Sequence, residues 1–446
     1  MTLSGIQIFK LLPQTNCKDC GFPTCLAFAM KLAAKQIELS ACPHVAEEAK
    51  TQLSAAAEPP VRLVTLKANG HEFRTGNETV LFRHEKKFFH KPGLFFRVRD
   101  TQSADDIKAS VAAADKYTVT YVGMELMLDG IAIQSDKGDP AAFSAAVSMV
   151  REVSSRPLVL ISEKPEVIEA GLRAIDGENP LIYCATQDNW EAMVGLAKQH
   201  QAALAVRASG LDALSDLTQK LKDSGVNDLV LDPAARDMSE SLVLGTQIRR
   251  LALKKNFRPL GYPIIAFPGD VEDPALASLL AAQAVAKYAG IIVLDSFSPE
   301  LAYPLLVLRE NIYTDPQKPI QVQPGVYEIN NPSPEDPVLV TTNFSITYFS
   351  VANEVEGSGL PARLLVTDAE GMSVLTAWAA GKFDAERIAK AVKEFNIADQ
   401  VSRKRVVLPG HVAVLSGELE EELPGWEVRV GPREAVDLPS FMKTVL

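Results

Sequence analysis

Apolar and polar positions follow three different rhythms along this chain. In LAFAMKLAAKQIEL, from Leu26 to Leu39, apolar residues recur at helical spacing. A second helix is expected from Pro43 to Ala57, ending at the boundary signal AEPP. Residues 61–83, VRLVTLKANGHEFRTGNETVLFR, alternate instead, and Asn69-Gly70 between the alternating runs predicts a β-hairpin. Lys91-Pro92-Gly93 closes this small module. Short, nearly continuous apolar runs then appear at 94–100, 130–136, 157–162, 180–185, 203–208, 228–233, 263–269 and 290–296. Amphipathic stretches such as DPAAFSAAVSMVREVSS and LDALSDLTQKLKDSG separate them.

Apolar strands alternating with amphipathic helices indicate a parallel sheet covered on both faces. Eight such units over about 230 residues fit a central (β/α)8 TIM barrel, with a doubly wound sheet as the alternative. A proline-rich linker, NPSPEDP at 331–337, precedes a second α/β pattern. Its strands read as 338–344, 363–368, 405–410 and 427–432. Its helices read as SITYFSVANEV, SVLTAWAAGKFDAERIAKAVKEF, VAVLSGELEEEL and DLPSFMKTV. This predicts a small open parallel, Rossmann-like sheet. The expected divisions are 1–58 (cysteine-bearing domain), 59–92 (linker with hairpin), 93–325 (barrel) and 326–446 (C-terminal α/β domain).

The 446 residues suit several cores, and 47% apolar with 23% charged residues describes a globular protein. A net charge of -11 argues against nucleic acid or an anionic membrane as main partner. The opening MTLSGIQIFKLLPQTNC lacks a basic region and a long apolar stretch, so no secretory signal is expected and the location is read as cytoplasmic. The most apolar segment, 274–294, is interrupted by Gln283, Lys287 and Tyr288. It reads as a buried helix followed by a strand rather than a membrane span.

Four of the five cysteines fall at Cys17-x2-Cys20-x4-Cys25-x16-Cys42, followed by Pro43. In a cytosolic chain, clustered cysteines mean metal or redox chemistry more often than disulfides. Gly21 and Pro23 let the loop wrap a cluster, and the helix from Leu26 returns the chain to Cys42. Asn16, Lys18 and nearby amides could donate to cluster sulfurs. Structural zinc sites favour two C-x2-C pairs; one pair and a lone cysteine before proline favour a [4Fe–4S] cluster. Cys184, in PLIYCA, reads as a small buried hydrophobe.

Asp100, Asp136, Asp232 and Asp295, with Arg207 and Gly269-Asp270, lie at the carboxyl ends of the predicted barrel strands, where barrel sites sit. They form no evident acid/base or metal constellation. The reading preferred here is that the aspartates cap the following helices and the barrel is a docking surface. In the C-terminal domain the strand-end loops are 340–346, 368–374, 409–411 and 431–436. Asp-Ala-Glu-Gly-Met-Ser at 368–373 offers amides for a polar ligand, and Thr341, Thr342 and Asn343 add polar groups. Ordinary turn and cap chemistry is the competing explanation.

The motifs NCKDCGFPTCLAFAMKLA…ACP, VLVTTNFSITYF at 338–349 and TDAEGMSVLTAWAAGKF at 367–383 carry a family resemblance. The chain resembles the large (gamma) subunits of corrinoid iron–sulfur proteins, which serve the acetyl-CoA (Wood–Ljungdahl) pathway and the acetyl-CoA decarbonylase/synthase complex. The resemblance implies a [4Fe–4S] cluster on Cys17, Cys20, Cys25 and Cys42, a TIM barrel and a C-terminal corrinoid-binding domain. It implies a heterodimer with a small subunit and a cobalt that shuttles a methyl group. The methyl would come from methyltetrahydrofolate through a methyltransferase and go to carbon monoxide dehydrogenase/acetyl-CoA synthase. An electron through the cluster would repair oxidised cobalt.

Together with the strand-end argument, the resemblance places corrinoid contacts at Val340, Thr341, Thr342, Ile346, Glu370, Gly371, Met372, Ser373, Gly410, Ala435 and Val436. Many of these contacts are expected from backbone amides, with Gly371 the most sensitive position. Methyl transfer needs a strong nucleophile supplied by the cofactor, and no protein general base. The D-x-H-x-x-G cobalt-ligand motif is absent; Leu408-Pro409-Gly410-His411 is the nearest segment, and His411 reads as a surface or cap histidine. No protein axial ligand to cobalt is therefore expected. Two other functions fit the sequence: a pterin-binding methyltransferase barrel carrying an iron–sulfur module, and a zinc-containing scaffold.

Overall fold

All eight apolar runs of the central segment become strands of one closed parallel barrel. The computed structural model describes residues 5–33, 37, 39–46, 49–50, 53, 59–315 and 320–446. β1 (Val64–Ala68) and β2 (His71–Thr75) form the hairpin expected around Asn69-Gly70, with Val64 opposite Thr75. β3 (Gly93–Arg99) opens the barrel. β4 (Thr118–Tyr121) and β5 (Met124–Met127) form a second hairpin, outside the barrel, that the apolar rhythm does not announce. β6 (Gly130–Gln134), β7 (Leu158–Ile161), β8 (Leu181–Ala185), β9 (Ala203–Arg207), β10 (Leu229–Asp232), β11 (Ile264–Ala266) and β12 (Ala289–Leu294) complete the barrel, and β12 pairs back onto β3.

A helix follows every barrel strand, from Ala104–Lys116 after β3 to Pro299–Tyr313 after β12. Four of these helices start at a side chain that accepts from a first-turn amide: Ser103, Asp139, Asp237 and Asp273. The apolar segment 274–294 resolves into the helix Pro274–Ala286 and strand β12. No helix among the described residues is long and apolar enough to cross a membrane.

Inside the barrel, Phe95, Ala132, Val159, Leu181, Ala203, Val230 and Ile291 share one core with Val64, Leu66 and Phe73 of the first hairpin. The hairpin therefore plugs the amino end of the barrel. Phe73 meets Phe95 edge to face, with ring centroids 5.5 Å apart. Gly93 makes this approach possible, since a Cβ there would lie 2.6 Å from Cζ of Phe73. Lys67 N donates to Asn179 O at 3.0 Å, tying the hairpin to the segment before β8.

The amino-terminal module packs its helices Gly5–Leu11 and Cys25–Ala33 around Ile8, Leu12, Phe28, Ala29 and Leu32. The helix expected from 26 to 39 is described as far as Ala33, where the described run breaks. Much of the one expected over 43–57 lies outside the described residues.

The chain folds as two compact units, 1–118 with 127–313, and 119–126 with 314–446. In the second, β13 (Gly325–Ile329), β14 (Val338–Thr342), β15 (Ala362–Thr367), β16 (Arg405–Leu408) and β17 (Glu427–Val430) form a sheet of order β13-β15-β14-β16-β17. The last four strands run parallel as expected. β13 is an additional antiparallel edge strand, pairing Gly325 with Val366, so the sheet is mixed. Both faces are covered. Val338, Val340 and Leu365 point into a core with Phe383, Ile388 and Val392. Leu339, Leu364 and Val366 point into the other, with Val355, Leu438 and Met442. Val122, in the turn between β4 and β5, belongs to this second core. A segment inserted between the first two barrel strands thus completes the C-terminal unit.

The single helix expected over 373–395 is two, Val374–Ala379 and Ala385–Glu394. Gly381, at φ 65°, ends the first, and the Asp384 side chain accepts from Arg387 N to start the second.

Candidate functional site

The loop from Asn16 to Cys25 turns sharply because Asn16, Lys18 and Gly21 all hold positive φ angles. Asn16 Oδ1 accepts from Cys25 N at 2.8 Å and so starts the helix that begins at Cys25. The Asn16 oxygen is thus occupied as an acceptor, which leaves its Nδ2 as the group that could donate to a sulfur. Cys25 and Cys42 are buried, Cys20 is partly buried and Cys17 is exposed, and all four are free thiols. Cys20, Cys25 and Cys42 pack into the module's apolar core. Burial pushes the Cys42 thiol above its ordinary range, and the charges of Cys20, Cys25 and Cys17 add to that. Among the described residues, the ligand atoms close enough to share one ion are those of Cys17, Asp19 and His44; the four sulfurs do not form such a group. His44 Nε2 lies 2.6 Å from Asp19 Oδ2 beside Cys17. The His44 and Cys17 hydrogen bonds hold the Asp19 carboxyl below its usual range.

The second candidate follows from the order of the C-terminal sheet. The chain leaves β14 toward β15 on one side and returns to β16 on the other, so β14 and β16 flank the point where the strand order reverses. Ligands of open α/β sheets bind at the carboxyl end of this point. Pairing between β14 and β16 covers only Val338–Val406 and Leu339–Val407, whereas β14 pairs with β15 through to Thr342–Thr367. The strands therefore part toward their carboxyl ends, and a cleft of about 310 Å³ opens there.

Val340, Thr341, Ile346, Ser373 and Ala435, all expected from sequence, line this cleft. Gly410 lies between the lining residues Pro409 and His411 and touches the next loop, since a Cβ on it would meet Gly431 O at 2.6 Å. Ile346 and Val436 are each 67% exposed, and Phe349, Leu375, Trp378 and Val414 add exposed apolar surface. Thr341 and Thr342 are fully buried, yet neither Oγ1 has a hydrogen-bond partner. Buried hydroxyls normally find one. Thr341 is on the cleft wall, and its unpaired hydroxyl fits a ligand bearing polar groups.

The loop after β15 differs from expectation. Its amides are already used: Ala369 N and Gly371 N donate to Asn343 Oδ1, Glu370 N to Asp368 Oδ1 and Met372 N to Ala369 O. Glu370 is paired to Lys382 at 2.7 Å, and Met372 packs on the core. Gly371, at φ 74°, faces the Gln321 side chain, which a Cβ would meet at 2.7 Å. Glu370, Gly371 and Met372 thus stand behind the cleft wall, and Ser373 reaches it. Further lining residues went unseen in the sequence, among them Thr347, Ser350 and Arg433. Their signal is position: each lies within a turn or two of a strand end. His411 is also in the lining, 3.8 Å from Glu434.

At the carboxyl end of the barrel, the expectation that strand-end aspartates cap helices is overturned. Asp232 is fully buried and accepts from Tyr183 Oη at 2.6 Å and from Arg236 at 2.8 and 3.0 Å. Arg236 also reaches Asp270 at 3.1 Å, and Arg97 bridges Asp270 and Asp295 at 2.7 and 2.8 Å. Arg99 joins Asp295 to Asp136. Burial raises the Asp295 carboxyl, but hydrogen bonds from Arg97 and Arg99 outweigh it and hold the group below its usual range. Asp100 accepts from Ser135 Oγ, Asp136 N and Lys137 N, shaping the loop after β6. Arginines drawn from β3 and the loop after β10 claim these carboxylates before any helix amide does. Arg207 pairs with Glu163 at 2.5 Å. Cys184 lies in the barrel core, its thiol pushed up to about 12 by burial, as suits a small hydrophobe.

Comparisons with known proteins identify the family. The family model "CO dehydrogenase/acetyl-CoA synthase delta subunit" matches residues 63–442, and the model "Putative Fe-S cluster" matches residues 12–44. The chain is 45% identical over 446 residues to the corrinoid/iron-sulfur protein large subunit of Moorella thermoacetica, covering 100% of both chains. It is 34% identical over 461 residues to the acetyl-CoA decarbonylase/synthase complex subunit gamma 1 of Methanosarcina mazei, covering 99% of this chain and 98% of that one. The corresponding gamma subunit of Methanopyrus kandleri is 35% identical over 454 residues, covering 99% and 97%. On matches of this length and identity, the chain belongs to the family of corrinoid/iron-sulfur protein large subunits and acetyl-CoA decarbonylase/synthase gamma subunits.

Proposed function

We propose that the chain is the large subunit of a heterodimeric, cytoplasmic methyl carrier, with a [4Fe–4S] cluster on Cys17, Cys20, Cys25 and Cys42 and a corrinoid in the cleft between β14 and β16. The observation that carries this reading is the cleft itself. It opens at the strand-order reversal, has a buried unpaired hydroxyl on its wall and an exposed apolar rim. When bound, the corrinoid supplies a cobalt nucleophile for methyl transfer, and the cluster supplies an electron-transfer centre.

The chain's own residues then have limited tasks. The four cysteines would hold the cluster, with Cys25 and Cys42 buried in the module's apolar core and Cys17 on its exposed side. Thr341 and Ser373 would offer polar contacts to the corrinoid, and Val340, Ile346 and Ala435 would offer apolar ones. A cleft of about 310 Å³ takes only part of so large a ligand. The small subunit covers the remainder, in agreement with the exposed Ile346 and Val436. The methyl comes from methyltetrahydrofolate through a methyltetrahydrofolate:corrinoid methyltransferase and goes to carbon monoxide dehydrogenase/acetyl-CoA synthase. No protein ligand to cobalt is assigned. A pterin site in the barrel is disfavoured, because Arg97, Arg99 and Arg236 at its mouth are already paired with aspartates.

The test is coexpression with the small subunit under anaerobic conditions, followed by absorption spectroscopy and metal analysis. Corrinoid and iron–sulfur bands should appear together, with iron and cobalt in a ratio near four to one for a single [4Fe–4S] cluster. Zinc in place of iron, or a complex without cobalt, would overturn the reading.

A further inference from the structure

We propose that Asn343 is a positioning residue, locking the loops after β14 and β15 together so that Ser373 stands at the wall of the cleft. The inference rests on the corrinoid reading of that cleft, and nothing in that reading assigns Asn343 a role.

Asn343 is 2% exposed and follows directly after β14. A side-chain amide can accept two hydrogen bonds and donate two, and here all four are made. Oδ1 accepts from Ala369 N and Gly371 N, both at 2.9 Å. Nδ2 donates to Asp368 Oδ1 at 3.1 Å and to Gln321 Oε1 at 3.3 Å. The two accepted bonds fix which end of the amide is oxygen, because backbone N–H groups only donate. The turn at 368–371, with φ 54° at Glu370 and 74° at Gly371, brings the N–H groups of Ala369 and Gly371 onto that one oxygen. This is the geometry with which backbone nests hold anions, here filled by a side chain.

The Asn343 backbone is held as well: its N donates to Thr367 O at 3.0 Å and its O accepts from Val322 N at 3.0 Å. One residue therefore joins three segments: the ends of β14 and β15, and the strand of chain through Gln321. Ser373, two residues beyond Gly371, lines the cleft and is the N-cap residue of the helix Val374–Ala379. Aspartate in place of Asn343 keeps the acceptor but loses both donors, and it sets a second carboxylate against Asp368. Exchanging the pair restores a donor, because Asn at 368 can donate to Asp at 343 while its own carbonyl still accepts from Glu370 N.

The test uses the full chain with its small subunit, reloaded anaerobically with aquacobalamin. Affinity is read from bound cobalt, and the seat of the corrin from its visible circular dichroism. Far-ultraviolet circular dichroism and a thermal melt report the fold. Asn343→Asp should bind about tenfold more weakly, with an altered visible spectrum and unchanged iron content. The exchange Asn343→Asp/Asp368→Asn should recover affinity to within about twofold of the parent and restore the spectrum. Ala435→Trp, which fills the cleft, should abolish binding. If Asn343→Asp binds with parental affinity and spectrum while Ala435→Trp does not bind, the positioning role is wrong and the cleft reading stands. Should the exchange fail to rescue a folded protein, the hydrogen-bond mechanism is likewise wrong. Parental binding by Ala435→Trp would remove the cleft reading itself, and the role of Asn343 with it.

Discussion

Tyr183 Oη donates a 2.6 Å hydrogen bond to Asp232 Oδ2, inside a barrel mouth where Asp232 has no solvent exposure. Burial and then the Asp232 charge push the Tyr183 phenol far above its ordinary range, so it stays a donor at any working pH. Tyr183→Phe should cost about 1–3 kcal/mol, since it takes one bond from a buried carboxylate. Asp232→Ala should cost more, about 3–5 kcal/mol, because Arg236 and Tyr183 are left facing an apolar gap. Urea unfolding of the assembled protein checks both. Corrinoid loading of the folded Tyr183→Phe variant should match the parent.

Glu78 provides a pH test. Its Oε1 accepts from Phe89 N at 2.9 Å and His90 N at 3.1 Å, and its Oε2 lies 3.5 Å from Arg249. Burial pushes the carboxyl above its ordinary 4.5, and the Arg249 charge offsets this only in part. Between the ordinary and the raised value, the folded protein keeps a proton that the unfolded chain has lost. Stability should therefore fall as pH rises through that window. Glu78→Gln should flatten this part of the profile, as measured by urea midpoints at a series of pH values. An unchanged slope would show that another group dominates.

Cys17→Ala and Cys42→Ala should each lose most of the iron, while the thermal transition of the barrel is preserved. Corrinoid binding should persist, because the cysteines and the cleft belong to separate cores. Reductive reactivation after oxidation should fail. Normal reactivation in these variants would remove the electron-entry role.

Gly371→Leu should weaken corrinoid retention by roughly tenfold with iron content unchanged. The cause is local: φ is 74°, costing about 1–2 kcal/mol for an L side chain, and a Cβ would lie 2.7 Å from Gln321. The loop would shift and carry Ser373 with it. Full cobalt occupancy in this variant would place the corrinoid elsewhere.

His411 lines the cleft but lacks the D-x-H-x-x-G context of a cobalt ligand. The Co(II) electron resonance signal should show no nitrogen superhyperfine splitting from histidine, and His411→Ala should leave it unaltered. Splitting that disappears in the variant would assign His411 to cobalt.

The barrel was legible because its signals are local. Each strand is a short apolar run, each helix a 3.6-residue period, and alternation of the two admits few packings. Cys17, Cys20, Cys25 and Cys42 were legible for the same reason, since four ligands within one short segment carry their spacing with them. Residues such as Val340 and Ser373 could be assigned to one sheet edge, because parallel strands place all their carboxyl ends together. What tertiary structure alone decided lies across segments far apart in the chain. Val122 joins the C-terminal core from between two barrel strands, and no local period announces a partner about 200 residues away. Asp232 pairs with Tyr183 and Arg236 rather than with a helix amide, because burial rewards the nearest cation over a solvated cap. The amides of 369–371 turn inward to Asn343 and Asp368 instead of outward to a ligand, since a buried side-chain amide reached them first. Sequence periodicity determines which face of each element is buried; which side chain meets which in that interior depends on distances that only the folded chain creates.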